Sequence, residues 1–304
     1  MIHIIITSYK EPKSTQKAID VFLQQKIPKP FKIIIADPFP EMEEIILNQY
    51  SKHPEVEYFE DPDEGKSFAL NLIFKKIWAN NPEDIIILTD GDVYVSNNAV
   101  QEILNQFKDK SIGIVCGHPV SLNPRNNKFG YWSHLLFDEM NSTRKKLARN
   151  KQFFEASGYL FAMRNSIIKE FSPQASEDNV LAIMFWQRNY KVGYAEQALV
   201  HVMNPGNMQD WINQKKRNIK GHIALNSIFK ETPRRKNTML SESIRGLKIL
   251  LAYPRNPKEF FWTISLMFAR LKVWMLAKKE YKNKQQYRDG WRGEAETPST
   301  RILE

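Results

Sequence analysis

The order of apolar and polar positions divides the first two thirds of the chain into short β-branched runs separated by segments of helical periodicity. Ile2-His3-Ile4-Ile5-Ile6-Thr7 and Phe31-Lys32-Ile33-Ile34-Ile35-Ala36-Asp37 are nearly continuous apolar runs, the pattern of parallel strands covered on both faces. An amphipathic stretch from about Ser14 to Gln25 lies between them, so the chain opens as a βαβ unit. A helix from Glu41 to Tyr50, a short strand from Val56 to Phe59 and a helix from Lys66 to Ala79, entered through Asp63-Glu64-Gly65, continue the alternation. Next comes Ile85-Ile86-Ile87-Leu88-Thr89-Asp90-Gly91-Asp92-Val93-Tyr94-Val95, whose apolar run stops at two carboxylates. The pattern predicts an α/β fold with Thr7, Asp37 and Asp90 at one sheet edge, where open α/β sheets bind ligands.

The alternation then continues with a helix from Asn97 to Phe107, a strand from Ile112 to Cys116, a polar loop around Asn123-Pro124-Arg125-Asn126-Asn127, and a helix from Tyr131 to about Leu147. Phe153 to Arg164 reads as paired strands around Ser157-Gly158, and Ser176-Glu177-Asp178 as the cap of an apolar helix. A helix past Asn207 carries Trp211, Gln214, Lys215, Lys216, Arg217 and Lys220. Beyond Lys230 the character changes to two apolar segments, Ile244 to Tyr253 and Phe260 to Ala277, separated by Pro254 and Pro257. The longest charge-free piece of the second, Phe260 to Ala269, is shorter than the roughly 20 apolar residues that cross a bilayer. Phe260, Ile264, Met267, Phe268, Leu271, Trp274 and Met275 nevertheless recur at helical spacing among Lys258, Arg270, Lys272, Lys278 and Lys279. Such a helix suits a membrane interface, with Trp and Lys at headgroup depth. The expected division is a catalytic-type domain over residues 1–228 and a basic, amphipathic helical extension over residues 229–304.

Charge sharpens this division. The net charge of +10 is uneven: residues 1–210 carry 23 basic against 26 acidic side chains, and residues 211–304 carry 21 against 8. A basic tail suits nucleic acid, anionic lipid or a diphosphate ligand, and charge alone does not choose among them. Interleaved Phe260, Phe261, Trp262, Phe268 and Trp274 favour a membrane surface over nucleic acid, because they break the polar stripe that a polyanion would need. Cys116 is the only cysteine, which leaves no internal disulfide, and the chain opens on an apolar strand with no signal-like segment. The expected location is the cytoplasm, at the inner face of the cell membrane.

Two carboxylates separated by one glycine repel each other unless a cation lies between them, and a hard divalent ion with phosphate oxygens meets that need. Asp-Gly-Asp is also ordinary turn chemistry. The order of motifs decides the reading. Thr7-Ser8-Tyr9-Lys10-Glu11 after the first strand, Asp37 after the second, Gly65-Lys66-Ser67-Phe68-Ala69-Leu70-Asn71, Asp90-Gly91-Asp92, Glu177-Asp178 and Gln214-Lys215-Lys216-Arg217 together resemble the family 2 glycosyltransferases from about Ile2 to His222.

That resemblance implies a GT-A fold, a Rossmann-like, mixed and mostly parallel sheet flanked by helices. It implies inverting, metal-dependent sugar transfer from a nucleotide donor, most simply a UDP sugar, to a hydroxyl of a lipid-linked or glycan acceptor. Thr7, Tyr9, Glu11, Asp37, Lys66 and Asp90 then match nucleotide-binding positions, Asp92 the position that holds Mn²⁺ or Mg²⁺, and Asp178 the base. Glu177, Gln214 and Arg217 match positions beside the acceptor and diphosphate. His201 falls where some GT-A enzymes place a further metal ligand. Asn218 stands where the family's QxxRW motif usually has tryptophan, which argues against processive polysaccharide synthesis. His118, His134 and His222 have no spacing that suggests a metal site. Three other readings compete. A nucleic-acid-binding protein is disfavoured by the aromatic tail. A nucleotidyltransferase is disfavoured because Thr7-Ser8-Tyr9-Lys10-Glu11-Pro12 has no glycine to cradle a triphosphate. A degenerate, non-catalytic domain is poorly motivated while both the metal acid and the base are present.

Overall fold

The computed structural model describes residues 1–233, 252–283 and 298–300. Its first strands are β1 (Ile2–Thr7), β2 (Phe31–Asp37), β3 (Val56–Glu60) and β4 (Ile85–Asp90), separated by helices α1 (Pro12–Leu23), α2 (Pro40–Gln49) and α3 (Lys66–Lys76). Both α1 and α2 open on a proline in the first turn, where its fixed φ suits the helix and its missing N–H costs nothing. The second half adds β5 (Tyr94–Val95), α4 (Ala99–Gln106), β6 (Ile112–Ser121), α5 (Lys128–Arg149), β7 (Leu160–Arg164), α6 (Glu177–Gln187), β8 (Lys191–Val202) and α7 (Met208–Ile228). A last long helix, α8, spans Pro257–Lys282.

The eight strands form one mixed sheet in the order β3-β2-β1-β4-β7-β6-β8-β5. The β1, β2, β3 and β4 neighbours run parallel, as do β6 and β8, while β7 runs antiparallel to both β4 and β6. This is the α/β, GT-A-type arrangement expected. The register places Thr7 opposite both Ala36 and Asp90, and Asp37 opposite Glu60. The β-branched interiors bury Ile4, Ile5, Ile6, Ile33, Ile35, Ile86 and Ile87, and each run closes on a polar residue at its C-terminal end. Thr7, Asp37 and Asp90 therefore share one edge.

Two local expectations are corrected. Residues 153–164 hold one strand, β7, rather than a pair. The backbone groups a second strand would use are taken by side chains: the Arg144 guanidinium donates to the Ala156 carbonyl at 2.9 Å, and the Gly158 N–H donates to Asp178 at 2.9 Å. Helix α5 begins at Lys128, before Tyr131, because the Asn127 side chain caps it by accepting from the Gly130 N–H at 2.9 Å. The apolar run ends at Asp90, as its carboxylates implied, and Tyr94–Val95 forms the separate strand β5, which pairs with β8.

The C-terminal helix is also longer than its charge-free core suggested: by length and composition α8 could cross a membrane. One face of it packs on the sheet-bearing part of the molecule. Thr263, Leu266, Ala269, Val273 and Ala277 are buried, and Leu266, Ala269 and Val273 share an apolar cluster with Tyr131, Trp132 and Leu135 of α5 and Trp211 and Ile212 of α7. Arg125 grips Glu259 through two 3.0 Å hydrogen bonds at one end of the helix. Lys216 and Lys220 reach Glu280 at 2.6 and 2.5 Å at the other. The apolar set expected from periodicity lies on the remaining sides. None of Phe260, Ile264, Met267, Phe268, Leu271, Trp274 and Met275 is buried, and Phe268 is 69% exposed. The expected segment from Ile244 lies outside the described residues up to 251.

Candidate active site

The strand tips meet the N-termini of α3 and α6. Gly65 precedes α3 with φ 121°, a backbone that favours glycine, and turns the chain so that Lys66 starts the helix. The Lys66 ammonium lies 2.5 Å from Asp90 Oδ1 and 2.6 Å from Glu177 Oε1. The Thr7 hydroxyl donates to Asp90 Oδ1 at 3.0 Å. Strand β1, strand β4, helix α3 and helix α6 are thus tied through one ammonium and two acids. Burial works against the Lys66 charge, but Asp90 and Glu177 outweigh it and raise its pKa. Burial likewise pushes Glu177 up, and the Lys66 ammonium more than offsets this, holding Glu177 below the usual carboxylate range.

Asp178, the next residue, fares differently. Its Oδ2 accepts from the Gly158 N–H at 2.9 Å and its Oδ1 from the Asn179 N–H at 2.8 Å. Burial, with the Glu177 charge beside it, pushes Asp178 up to about 6. Adjacent carboxylates therefore take opposite protonation behaviour, one clamped as a counter-ion and one poised to exchange a proton near neutrality.

A second group lies around Asp37. Its Oδ1 accepts from the Phe39 N–H at 2.8 Å, burial raises its pKa, and the Tyr58 hydroxyl donates to its carbonyl at 2.7 Å. Tyr9 stacks obliquely on Phe39 with ring centroids 5.2 Å apart, supplying an aromatic wall near this acid. Glu11, just before α1, lies beside the Asp90-Gly91-Asp92 turn. A Cβ on Gly91 would lie 2.5 Å from Thr15 Oγ1 and 3.3 Å from Glu11 Oε1, so the Asp90-Gly91-Asp92 turn can lie this close to the start of α1 only with glycine at its centre.

The predicted site residues are thus brought together unevenly. Thr7, Lys66, Asp90, Glu177 and Asp178 are contiguous. Arg217 of α7 acts electrostatically on Glu177, and Gln214, one turn before it, is buried with its amide oxygen unpaired among the described residues. His201 lies in β8 opposite Tyr94, and burial lowers its pKa, which favours the neutral ring. No group of three or more His, Cys, Asp or Glu side chains arranged to hold a metal occurs among the described residues. Asp90 is bound by Lys66 and Thr7, and Asp92 is the other carboxylate of the same turn. A single carboxylate completed by phosphate oxygens and water is a common way to hold Mg²⁺, so the residues fit a metal that arrives with its ligand.

Sequence reasoning missed Tyr159, Tyr58 and Ser8. Ser8 offered no periodic signal, although it accepts from the Thr15 hydroxyl at 2.8 Å and bonds the Asp37 carboxylate. His118 and His134 pair with the backbone carbonyls of Glu196 and Asn123, consistent with structural roles.

The sequence profile of Glycosyl transferase family 2 matches residues 3–172, more than half of the chain and every strand tip described above. The chain belongs to that family. Among curated relatives, the O-antigen chain rhamnosyltransferase RfbN of Salmonella typhimurium strain LT2 is 26% identical over 212 residues, covering 66% of this chain and 65% of that protein. The O-antigen chain rhamnosyltransferase WbaN of Salmonella anatum is 28% identical over 135 residues, covering 40% of this chain and 41% of that protein. Each match thus spans less than two thirds of the relative. The crystal structure of S. aureus TarS overlaps 92% of this chain and 55% of that one, at 11% identity and a TM-score of 0.47. The family profile ends before α6, so Glu177 and Asp178 stand outside the matched segment.

Proposed function

We propose that this family 2 member transfers one sugar from a nucleotide-sugar donor to a hydroxyl of a glycan or lipid-linked acceptor, with inversion at the anomeric carbon. The observation that carries this reading is the contrast between Glu177, paired to Lys66, and Asp178, raised to about 6 beside it. An inverting transfer needs a base that removes the acceptor proton as the hydroxyl attacks the face opposite the departing diphosphate. Asp178 is mostly ionised at neutral pH yet basic enough for that task.

The donor side is assigned to Thr7, Tyr9, Glu11, Asp37, Lys66 and Asp90. Asp37 meets the base and ribose end, and Lys66 with the N-terminus of α3 meets the diphosphate, since an ammonium and a helix N-terminus both favour phosphate. Asp92, with His201 as a second candidate ligand, would hold Mg²⁺ or Mn²⁺. Such an ion supplies Lewis-acid neutralisation of the leaving diphosphate. Gln214 and Arg217 are assigned to the acceptor or diphosphate side.

The names of the two relatives support rhamnose as the transferred sugar and an O-antigen-type glycan as the acceptor. The division into residues 1–228 and 229–304 is kept as a functional one, with the donor site wholly in the first part. The outward sides of α8 support docking on an anionic membrane. Phe260, Phe261, Phe268 and Met275 are exposed, and Lys258, Lys272, Lys278 and Lys279 flank them. Ion pairs fasten α8 at both ends to the rest of the molecule, which favours lying in the interface over crossing the bilayer.

The deciding experiment is a donor screen over UDP-, dTDP- and GDP-linked sugars, rhamnose included, scoring nucleoside diphosphate release with and without acceptor. Release with one donor that rises on adding a glycan acceptor is expected. Silence towards every donor, at saturating Mg²⁺ or Mn²⁺, would overturn the reading.

A further inference from the structure

Residue 159 is fixed from two sides. In the antiparallel register of β4 and β7, Thr89 stands opposite Leu160, which carries Tyr159 to the position across from Asp90. The Thr89 hydroxyl donates to the Tyr159 carbonyl at 2.8 Å, and the preceding N–H, that of Gly158, donates to the Asp178 carboxylate at 2.9 Å. The ring packs edge-on against Phe137, with centroids 5.7 Å apart and planes at 73°. The side chain is partly buried, and the charges that act most strongly on it are those of Asp92, Asp90, Asp178 and Arg217. Its phenol makes no hydrogen bond among the described residues. Its oxygen is open to solvent, so the O–H is available to a ligand.

We propose that the Tyr159 phenol hydrogen-bonds the sugar being transferred and so helps to choose it. The inference rests on the glycosyltransferase reading given above. With the diphosphate on the Lys66 and Asp92 side and the base at Asp178, the anomeric carbon must lie between them, because attack and departure occur in line. Tyr159 follows Gly158, whose N–H binds Asp178, and continues the register across from Asp90, which binds Lys66, so its backbone links the two sides. A phenol ordinarily titrates at about 10, so it remains an O–H donor across the working pH range. A sugar hydroxyl or ring oxygen is an acceptor of matching polarity, and the fixed ring limits the bulk of the sugar beside it.

The test compares Tyr159→Phe with the intact protein, using the donor that the screen identifies and its nucleoside diphosphate with Mg²⁺. The variant keeps the ring and its contact with Phe137, so its melting temperature should not change. It should bind the nucleoside diphosphate as the parent does while kcat/KM for the nucleotide sugar falls about tenfold, the value of one hydrogen bond of ordinary strength. A donor lacking the contacted hydroxyl should show no further loss in the variant. An unchanged kcat/KM for the variant overturns the inference, as does an equal loss of nucleoside diphosphate affinity, which would mean a general role in shaping the site. If the parent protein itself releases no nucleoside diphosphate from any donor, the glycosyltransferase reading fails first and this inference falls with it.

Discussion

Asp178 and Glu177 differ by one position and by one partner. Lys66 stabilises the charge on Glu177, whereas burial is the largest influence on Asp178 and raises it. If Asp178 is the base, kcat/KM should fall on the acid side with an apparent pKa near 6, and Asp178→Asn should bind nucleotide sugar normally while transferring it at least ~100-fold more slowly. Stability should show the opposite sign. A carboxylate with a folded-state pKa of about 6 against an ordinary 3.8 destabilises the fold as pH rises through that window. Melting curves should therefore show Asp178→Asn gaining on the parent protein between those two pH values and holding the gain above them. Asp92 makes a separable case, because its proposed duty is the cation and not the proton. Titration calorimetry of Asp92→Asn with nucleoside diphosphate should show the metal-dependent part of the affinity gone. Affinity that still responds fully to Mg²⁺ would remove Asp92 from that role.

At the scale of elements, the apolar set that periodicity picks out on α8 stays unburied, and a second set of residues packs inward. The large apolar residues Phe268, Trp274 and Met275 draw the eye, yet the packed face consists of Thr263, Leu266, Ala269, Val273 and Ala277. Small side chains let α8 approach α5 and α7 closely, where Trp132 and Trp211 already fill the space with rings 5.1 Å apart. Leu266→Ala should cost about 2–5 kcal/mol in urea unfolding, as for other buried leucines, provided α8 unfolds with the rest. A value near zero would show that α8 detaches without loss. The single strand at 160–164 teaches the same lesson. Ser157-Gly158 looks like a hairpin turn, but the Asp178 carboxylate claims the Gly158 N–H and redirects that loop into the site.

At the scale of the whole molecule, the polar strand tips and the outward side of α8 form two separate surfaces, and the second is proposed to meet an anionic membrane. Vesicle co-sedimentation should separate the forces on that flank. Added salt should weaken binding to anionic vesicles without abolishing it, because each basic residue contributes about 1 kcal/mol that is screened and apolar insertion is not screened. Phe268→Ala should weaken the salt-resistant part and leave unfolding unchanged, since that ring is mostly exposed. A protein that ignores such vesicles at low salt would leave α8 as a brace alone. The sequence by itself determined the α/β alternation, the shared edge of Thr7, Asp37 and Asp90, and the polarity of the tail, because each follows from local periodicity and from where a β-branched run stops. Tertiary structure alone decided what those residues do to one another. That Lys66 bridges residues 90 and 177, that Asp178 is raised while Glu177 is not, and that Tyr159 lies across from Asp90 all depend on contacts between segments distant in sequence, which periodicity cannot encode.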